Sequence, residues 1–123
     1  MSRSTGFTER VRALIWTRDQ GHCGRCGRGL NREGGMHEFH HRRPRGVGGT
    51  SVEWVNLPGN GVLLCRTCHQ HVESNRSWAA DAGFLVSMNG WATASQVLIE
   101  HRVHGKVFLL DDGTVSKGEG VIW

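Results

Sequence analysis

Four cysteines occur as two C-x-x-C pairs, Cys23–Cys26 and Cys65–Cys68. A gap of two residues lets one tight turn bring two thiolates to the same ion, and two such pairs complete a tetrahedral Cys₄ zinc site. A redox dithiol or two disulfides are the alternatives, but no thioredoxin-like βαβ pattern surrounds either pair. The spacing therefore predicts a structural Zn²⁺ held by Cys23, Cys26, Cys65 and Cys68.

The segment between the two pairs carries further candidate residues. It spans 38 residues, more than the ~15–20 of a simple zinc ribbon. It contains His40 and His41 in sequence and Asn60 five positions before Cys65, and His69 directly follows the fourth cysteine. A neutral imidazole can bind a metal or take a proton from water near pH 7, so these histidines indicate metal-assisted chemistry.

These residues resemble the HNH (ββα-metal) endonuclease family in its zinc-knuckle version. The resemblance runs from Arg18 to about Arg76 and rests on the histidine pair, the asparagine, the two cysteine pairs and the histidine after them. The string HHRRPRG, followed by NL, LC and CH, is similar to small HNH proteins of actinobacterial phages. The resemblance implies hydrolysis of DNA phosphodiester bonds, by nicking or double-strand cleavage. It also implies a setting near phage genome packaging or DNA mobility, with packaging proteins as possible partners.

The same resemblance assigns roles to individual residues. His40 and His69 are implied to bind a catalytic divalent ion, Mg²⁺, Mn²⁺ or Zn²⁺, and His41 to act as the general base. Asn60 is implied to bond to the backbone of the loop and so to hold the strand of His41. Asn56–Leu57 also resembles the family's Asn-Leu pair. The spacing of Asn60 from Cys65, five positions, favours Asn60.

One position departs from the family pattern. Many members have another histidine four residues after the one aligned with His69, and here that position is Glu73. Residues four apart share a helix face, so Glu73 is a candidate third ligand, whereas His71 points elsewhere. A carboxylate beside imidazoles suits Mg²⁺ or Mn²⁺ as readily as Zn²⁺. Because adjacent side chains of a regular strand point to opposite faces, the pleat is also expected to break between His40 and His41.

Basic charge is concentrated with these candidates. The chain has a formal charge of +4; residues 1–80 hold twelve arginines against six acidic residues, +6, and residues 81–123 hold three basic against five acidic residues, −2. Arginine matches phosphate oxygens, so we predict DNA as partner, with Arg42, Arg43 and Arg45 as phosphate contacts. A solvated loop is the alternative for these three. A non-catalytic zinc-knuckle DNA-binding module, or a zinc domain that binds protein, is the alternative for the whole chain.

The elements that must position these residues can be predicted from periodicity and turn signals. We expect helices over 8–19 and 66–82, a strand over 36–41, a loop over 42–61 and an apolar run over 62–64. Strands over 97–99 and 106–110 follow, with a hairpin turn at Asp112–Gly113. The fold class is α+β: a ββα-metal core with a Cys₄ knuckle, an N-terminal helix and a small C-terminal β element. We expect an HNH nuclease domain over 1–80 and a β-rich extension over 81–123 packed on the same domain.

Several classes are excluded or disfavoured by composition. The chain of 123 residues suits one domain, and no apolar run is long enough to span a membrane. No signal peptide is visible, which favours a reducing cytoplasm, that of the host if a phage encodes the chain. His101 and His104 have no ligand-like context and are expected at the surface.

Overall fold

The computed structural model describes residues 6–46, 52–88 and 90–117. The first element is helix α1, Glu9–Arg18. The Thr8 hydroxyl accepts a hydrogen bond from the backbone N–H of Val11 at 3.2 Å, which caps the helix as the sequence predicts. Parts of two predicted segments, residues 47–51 of the loop and 118–123 of the extension, lie outside the described residues.

A ββα unit forms the centre of the molecule. Strand β1, His37–His41, pairs antiparallel with strand β2, Gly61–Cys65. Helix α2, Arg66–Ser74, follows β2 directly, and Cys65 is its N-cap. A short 3₁₀ turn at Arg32–Gly34 precedes β1, and two more, Glu53–Asn56 and Pro58–Asn60, lie in the connection between β1 and β2. Together with the helix before it and the strands after it, this unit confirms the α+β class.

The single helix predicted over 66–82 is wrong in one respect. Helix α2 ends at Ser74 and helix α3, Arg76–Ala82, begins two residues later. Asn75 separates them: its side-chain Nδ2 donates to the carbonyl of His71 at 2.9 Å, which competes with the helical backbone pattern. Helix α3 then ends at Ala82, and its C-cap is Gly83, whose φ of +88° is the left-handed conformation that glycine adopts without strain.

The C-terminal part is a small antiparallel sheet. Strand β3, Ile99–His101, pairs with β4, Gly105–Leu109, and β4 pairs with β5, Val115–Ser116. The strand positions predicted from sequence are confirmed to within two residues. The predicted turn is also present. Gly113 has a φ of +92°, its backbone N–H donates to the carbonyl of Leu110 at 3.1 Å, and the N–H of Leu110 donates to the carbonyl of Thr114 at 2.9 Å.

The core is shared between the ββα unit and the C-terminal sheet. One cluster of buried side chains combines β2 and α2 with the last strands, for example Leu64 and Val72 with Ile99, Val107 and Leu109. A second cluster joins α1 to the hairpin through Phe7, Val11, Ile15 and Leu63. The sheet thus buries part of the ββα unit instead of standing apart from it.

A buried ionic network connects the end of α1 to both sheets. Arg18 and Asp19 form a two-bond pair, with Arg18 Nε 2.8 Å from Asp19 Oδ1 and Nη2 3.0 Å from Oδ2. Asp19 also accepts from the backbone N–H of Leu63 at 2.9 Å and contacts Nε2 of His101 at 2.9 Å. His101 is only 2% exposed, so its predicted surface position is wrong. His104 is half-buried, with Nε2 2.8 Å from the carbonyl oxygen of Arg18.

No helix in the described parts of the chain is long and apolar enough to cross a membrane.

Candidate active site

The four cysteines come together at the end of the hairpin. All four sulfur atoms lie within 4.8 Å of one another, and Sγ of Cys26 is 4.0 Å from Sγ of Cys65. Sulfur atoms bound tetrahedrally to zinc are about 3.8 Å apart, so the cluster is the size of a Cys₄ site. Within each pair a backbone N–H faces the first sulfur, Cys26 N to Cys23 Sγ at 3.5 Å and Cys68 N to Cys65 Sγ at 3.4 Å.

The thiols differ in how readily they ionise. Burial opposes ionisation of Cys23, but backbone N–H groups, that of Cys26 first, outweigh burial and lower its pKa to about 7. Burial raises the pKa of Cys68 to about 12 although Arg25 donates to its sulfur at 3.3 Å. Four thiolates in one place need a cation, and this donor set fits zinc.

A second cluster combines two histidines and a carboxylate. One ligand atom from each of His40, His69 and Glu73 lies within 4.8 Å of the others. Glu73 Oε2 is 3.9 Å from Nδ1 of His40 and 4.0 Å from Nε2 of His69. Its other oxygen, Oε1, accepts from Arg76 at 2.8 Å. Two nitrogens and one oxygen therefore converge, and this donor set suits a divalent ion.

Each histidine of this cluster is oriented by a group behind it. Nε2 of His40 donates to the carbonyl of Phe84 at 2.7 Å, which leaves Nδ1 free to bind an ion. Burial lowers the pKa of His40 to about 4, so the ring is neutral at pH 7. Nδ1 of His69 contacts the carboxylate of Glu38, which leaves Nε2 for the ion. Sequence reasoning missed Glu38, although it lies two residues before His40 and therefore on the same face of β1.

His41 lies at the end of β1 beside this cluster. Its ring stacks on Phe7 with centroids 3.8 Å apart and planes 5° apart. Its Nε2 is 2.7 Å from Oδ1 of Asn56. Because an amide oxygen only accepts, Nε2 carries the hydrogen and Nδ1 keeps its lone pair. Burial lowers the pKa of His41 despite the bond to Asn56, with smaller effects from Arg45 and His69.

The expected break of the pleat does not occur before His41. Pairing continues through the strand, with His40 opposite Val62 and His41 opposite Gly61. Both histidines nevertheless line one open cavity of about 540 Å³, together with Phe7, Arg45, His69 and Glu73. All five residues of β1 line this cavity, and among the described residues β1 pairs with β2 alone. The cavity therefore runs along the free edge of the strand, where side chains of both faces meet.

The two asparagines have separate contacts. Asn60 is fully buried: its Oδ1 accepts from the N–H of Arg43 at 2.8 Å, and its Nδ2 donates to the carbonyls of Arg43 and Val55 at 3.1 and 2.8 Å. It therefore ties the loop after β1 to the start of β2. Asn56, the alternative considered from sequence, is the one that contacts His41.

Arg42 corrects the prediction of three phosphate contacts. Its side chain is fully buried. The buried guanidinium is stabilised because it donates to four backbone carbonyls at 2.8–3.0 Å, those of Gly59, Gly83, Ala94 and Val97. Burial, and then the charge of Arg18, lower the pKa of Arg42 to about 9, which keeps it charged at pH 7. Four of its five N–H donors are occupied and the side chain is 0% exposed, so Arg42 does not present a phosphate contact at the surface. Arg45 is exposed and lines the cavity, and the Arg43 guanidinium lies 5.4 Å from the ring centre of Trp54.

Comparison with known families agrees with this arrangement. The model of the HNH endonuclease family matches residues 23–75. No curated protein sequence matches the chain. The matched segment begins at the first knuckle cysteine and includes both cysteine pairs, the hairpin and α2. The protein therefore contains an HNH endonuclease domain, at residues 23–75.

Proposed function

We propose that this protein is a metal-dependent endonuclease that hydrolyses phosphodiester bonds of DNA. The observation that carries the proposal is the convergence of His40, His69 and Glu73 beside His41 in one open cavity. A non-catalytic zinc-knuckle module needs basic groups to bind DNA, but it needs neither a ligand cluster nor an oriented histidine. This geometry favours hydrolysis over DNA binding alone.

His41 acts as the general base. Phe7 and Asn56 fix its ring, and Nδ1 takes a proton from a water molecule. The water oxygen bonds to phosphorus while the bond from phosphorus to the 3′ oxygen breaks. The products are a 5′-phosphate and a 3′ oxygen that is protonated from solvent. Asn60 positions this base indirectly, through the backbone of the loop.

His40, His69 and Glu73 are the residues that would hold the catalytic ion. Two imidazoles and one carboxylate fit Mg²⁺, Mn²⁺ or Zn²⁺ and leave other coordination positions for water and phosphate. When bound, a divalent ion supplies Lewis-acid stabilisation of negative charge on the phosphate and the 3′ oxygen. The chain itself orients the two imidazoles: Phe84 holds His40, and Glu38 holds His69.

The Cys₄ cluster has a structural role in this proposal. It joins the turn at Cys23–Cys26 to the start of α2, which carries His69 and Glu73. A bound zinc ion would replace hydrophobic burial that a small, glycine-rich unit lacks. Zinc content and unfolding of Cys65→Ser test this role. Unchanged zinc and unchanged stability would contradict it.

Substrate binding relies on cations at the rim of the cavity. Arg45 and Arg12 line it, and Arg43 lies on the adjoining loop, so we assign phosphate contacts to Arg43 and Arg45. The resemblance to phage HNH proteins extends the proposal to genome packaging or DNA mobility, with packaging proteins as partners in the host cytoplasm. Co-purification with packaging proteins from infected cells tests that extension.

Cleavage of supercoiled plasmid tests the activity itself. Wild type, His41→Ala and a control variant, His22→Ala, each loaded with one zinc ion per chain to fill the Cys₄ cluster only, are incubated with Mg²⁺, Mn²⁺, additional Zn²⁺ or no added metal. His22 is exposed and lines neither the cavity nor a ligand cluster. We expect metal-dependent cleavage that His41→Ala reduces about 10²–10⁴-fold and that His22→Ala retains. A wild type that cuts with no metal, or an equally active His41→Ala, would refute the proposal.

A further inference from the structure

A second cavity is connected to the candidate active site through Phe84. It has a volume of about 620 Å³ and lies between the first cysteine knuckle and the β3–β4 hairpin. Phe84 belongs to both places, since its carbonyl accepts from His40 and the residue also lines the second cavity. We call this cavity the knuckle groove; its lining includes Arg25, Trp78, Phe84, Glu100, Arg102 and Lys106.

The knuckle groove is basic. Arg25, Arg102 and Lys106 line it against one carboxylate, Glu100, a balance of +2 before the sulfur of Cys26, which also lines the groove, is counted. Within the described ranges neither Arg102 nor Lys106 has an ion pair, and both are exposed. Residues 81–123 are acidic overall, yet two of their three basic residues line this one groove. The concentration of unpaired cations indicates an anionic ligand.

The Arg25 side chain and the Arg102 backbone are also held in place. The Arg25 guanidinium lies 5.3 Å from the ring centre of Trp78, and its Nη1 donates to Sγ of Cys68 at 3.3 Å. Trp78 in turn stacks on Phe84, with centroids 5.7 Å apart and planes 22° apart. The backbone N–H of Arg102 donates to the carbonyl of Gly24 at 2.7 Å, which joins the hairpin to the knuckle. Preorganised donors lose less entropy when they bind a ligand.

The stem of Arg102 packs against the glycine that follows the first cysteine pair. Gly27 has a φ of +80°, and a Cβ there would lie 2.7 Å from Cγ of Arg102. The side chain of Arg102 therefore packs directly on the knuckle, with its charged end at the groove. Two segments far apart in the sequence thus form one positively charged surface.

We propose that the knuckle groove binds the phosphodiester backbone of nucleic acid as a second contact outside the catalytic cavity. The inference rests on the proposed function, because DNA is the anion that a nuclease brings to its surface. Arginine donors match phosphate oxygens, and contacts of this kind add affinity without reading sequence. The groove enlarges the DNA footprint beyond Arg43 and Arg45 and gives the C-terminal sheet a role in substrate binding.

Salt-dependent binding tests the proposal in the His41→Ala background, without added metal, so that nothing is cleaved. Fluorescence anisotropy with a labelled DNA duplex compares Arg102→Gln/Lys106→Gln with a charge-matched control, Arg10→Gln/Lys117→Gln. The control residues are exposed and line neither cavity. We expect the groove variant to raise Kd roughly tenfold. We also expect the negative slope of log K against log salt to become shallower by about 2. Equal effects of the two double variants would overturn the proposal.

Two further arms make the result decisive. Glu100→Gln removes the groove's acidic residue, so we expect tighter DNA binding, a gain that a folding defect would not produce. Labelled polyglutamate replaces DNA in the second arm; if wild type binds it as tightly and the groove variant loses both equally, the groove is an acidic-peptide site and the proposal fails. Binding is measured without cleavage, so an inactive wild type would refute the proposed function alone, while unchanged binding by an active enzyme would refute the groove alone.

Discussion

Nε2 of His41 donates a hydrogen bond of 2.7 Å to Oδ1 of Asn56, fifteen residues further along the chain. This one bond fixes the tautomer of the proposed base, because the hydrogen on Nε2 leaves the lone pair on Nδ1. Phe7 stacks on the face of the same imidazole and so fixes the plane of the ring. The orientation of His41 thus depends on two residues that do not themselves react.

Removal of the amide should lower the cleavage rate without unfolding the protein. For Asn56→Ala we expect a roughly tenfold fall in kcat, the equivalent of one hydrogen bond of about 1–1.5 kcal/mol. Single-turnover cleavage measures it, with the exposed Asn31→Ala as control. Asn60→Ala should behave differently and lose stability, because three backbone contacts depend on that buried amide. A wild-type rate for Asn56→Ala would show that its bond does not position the base.

Glu38 should control metal affinity through His69. Its carboxylate contacts Nδ1 of His69 and so fixes the nitrogen that faces Glu73. We expect Glu38→Gln to weaken binding of Mn²⁺ about 10–100-fold. Calorimetric titration of the zinc-loaded protein measures this, with Glu33→Gln, an exposed residue, as control. If Mn²⁺ affinity is the same in both variants, Glu38 does not orient the ligand.

The sequence was sufficient for features encoded by short-range spacing. The Cys-x-x-Cys pairs, the i,i+4 relation of His69 and Glu73, the Thr8 cap and the Asp112–Gly113 turn each depend on a few neighbouring residues. Local geometry fixes such relations wherever the chain folds. They were therefore predictable before any tertiary contact was known.

Features that depend on distant partners could not be predicted in this way. Arg42 stands in an arginine-rich loop that is typical of a solvated surface, but its carbonyl partners extend as far as Val97. His101 is buried because its partner, Asp19, lies 82 residues earlier. The bond from His41 to Asn56 could not be predicted either, because the same loop contains two asparagines and the sequence does not show which of them contacts His41. Tertiary structure decides each case.

Arg42 should therefore affect stability, and Arg45 should affect DNA binding. Arg42→Lys keeps the charge but loses the planar fork, and each orphaned carbonyl costs about 1–3 kcal/mol. We expect a loss of at least about 3 kcal/mol in the free energy of unfolding. Arg45→Gln should leave stability within about 0.5 kcal/mol and lower the salt slope of DNA binding by about 1. Denaturant unfolding and anisotropy measure the two effects. The reverse pattern would restore Arg42 as a DNA contact.

Asp19 should make stability depend on pH in a defined direction. Burial alone would raise its pKa, but the charge of Arg18 and the bonds from His101 and Arg18 lower it from 3.8 to about 2. A pKa that is lower in the folded state stabilises that state in full above the unfolded value of 3.8, and the gain is lost as pH falls toward 2. The shift corresponds to about 2 kcal/mol. We therefore expect Asp19→Asn to be less stable than wild type by at least about that amount at pH 7 and pH 5, with the difference narrowing below pH 3.8. Denaturant unfolding of both zinc-loaded proteins across this range measures it. A difference that is absent at pH 7, or that grows as pH falls, would show that Asp19 does not stabilise the fold as a buried carboxylate.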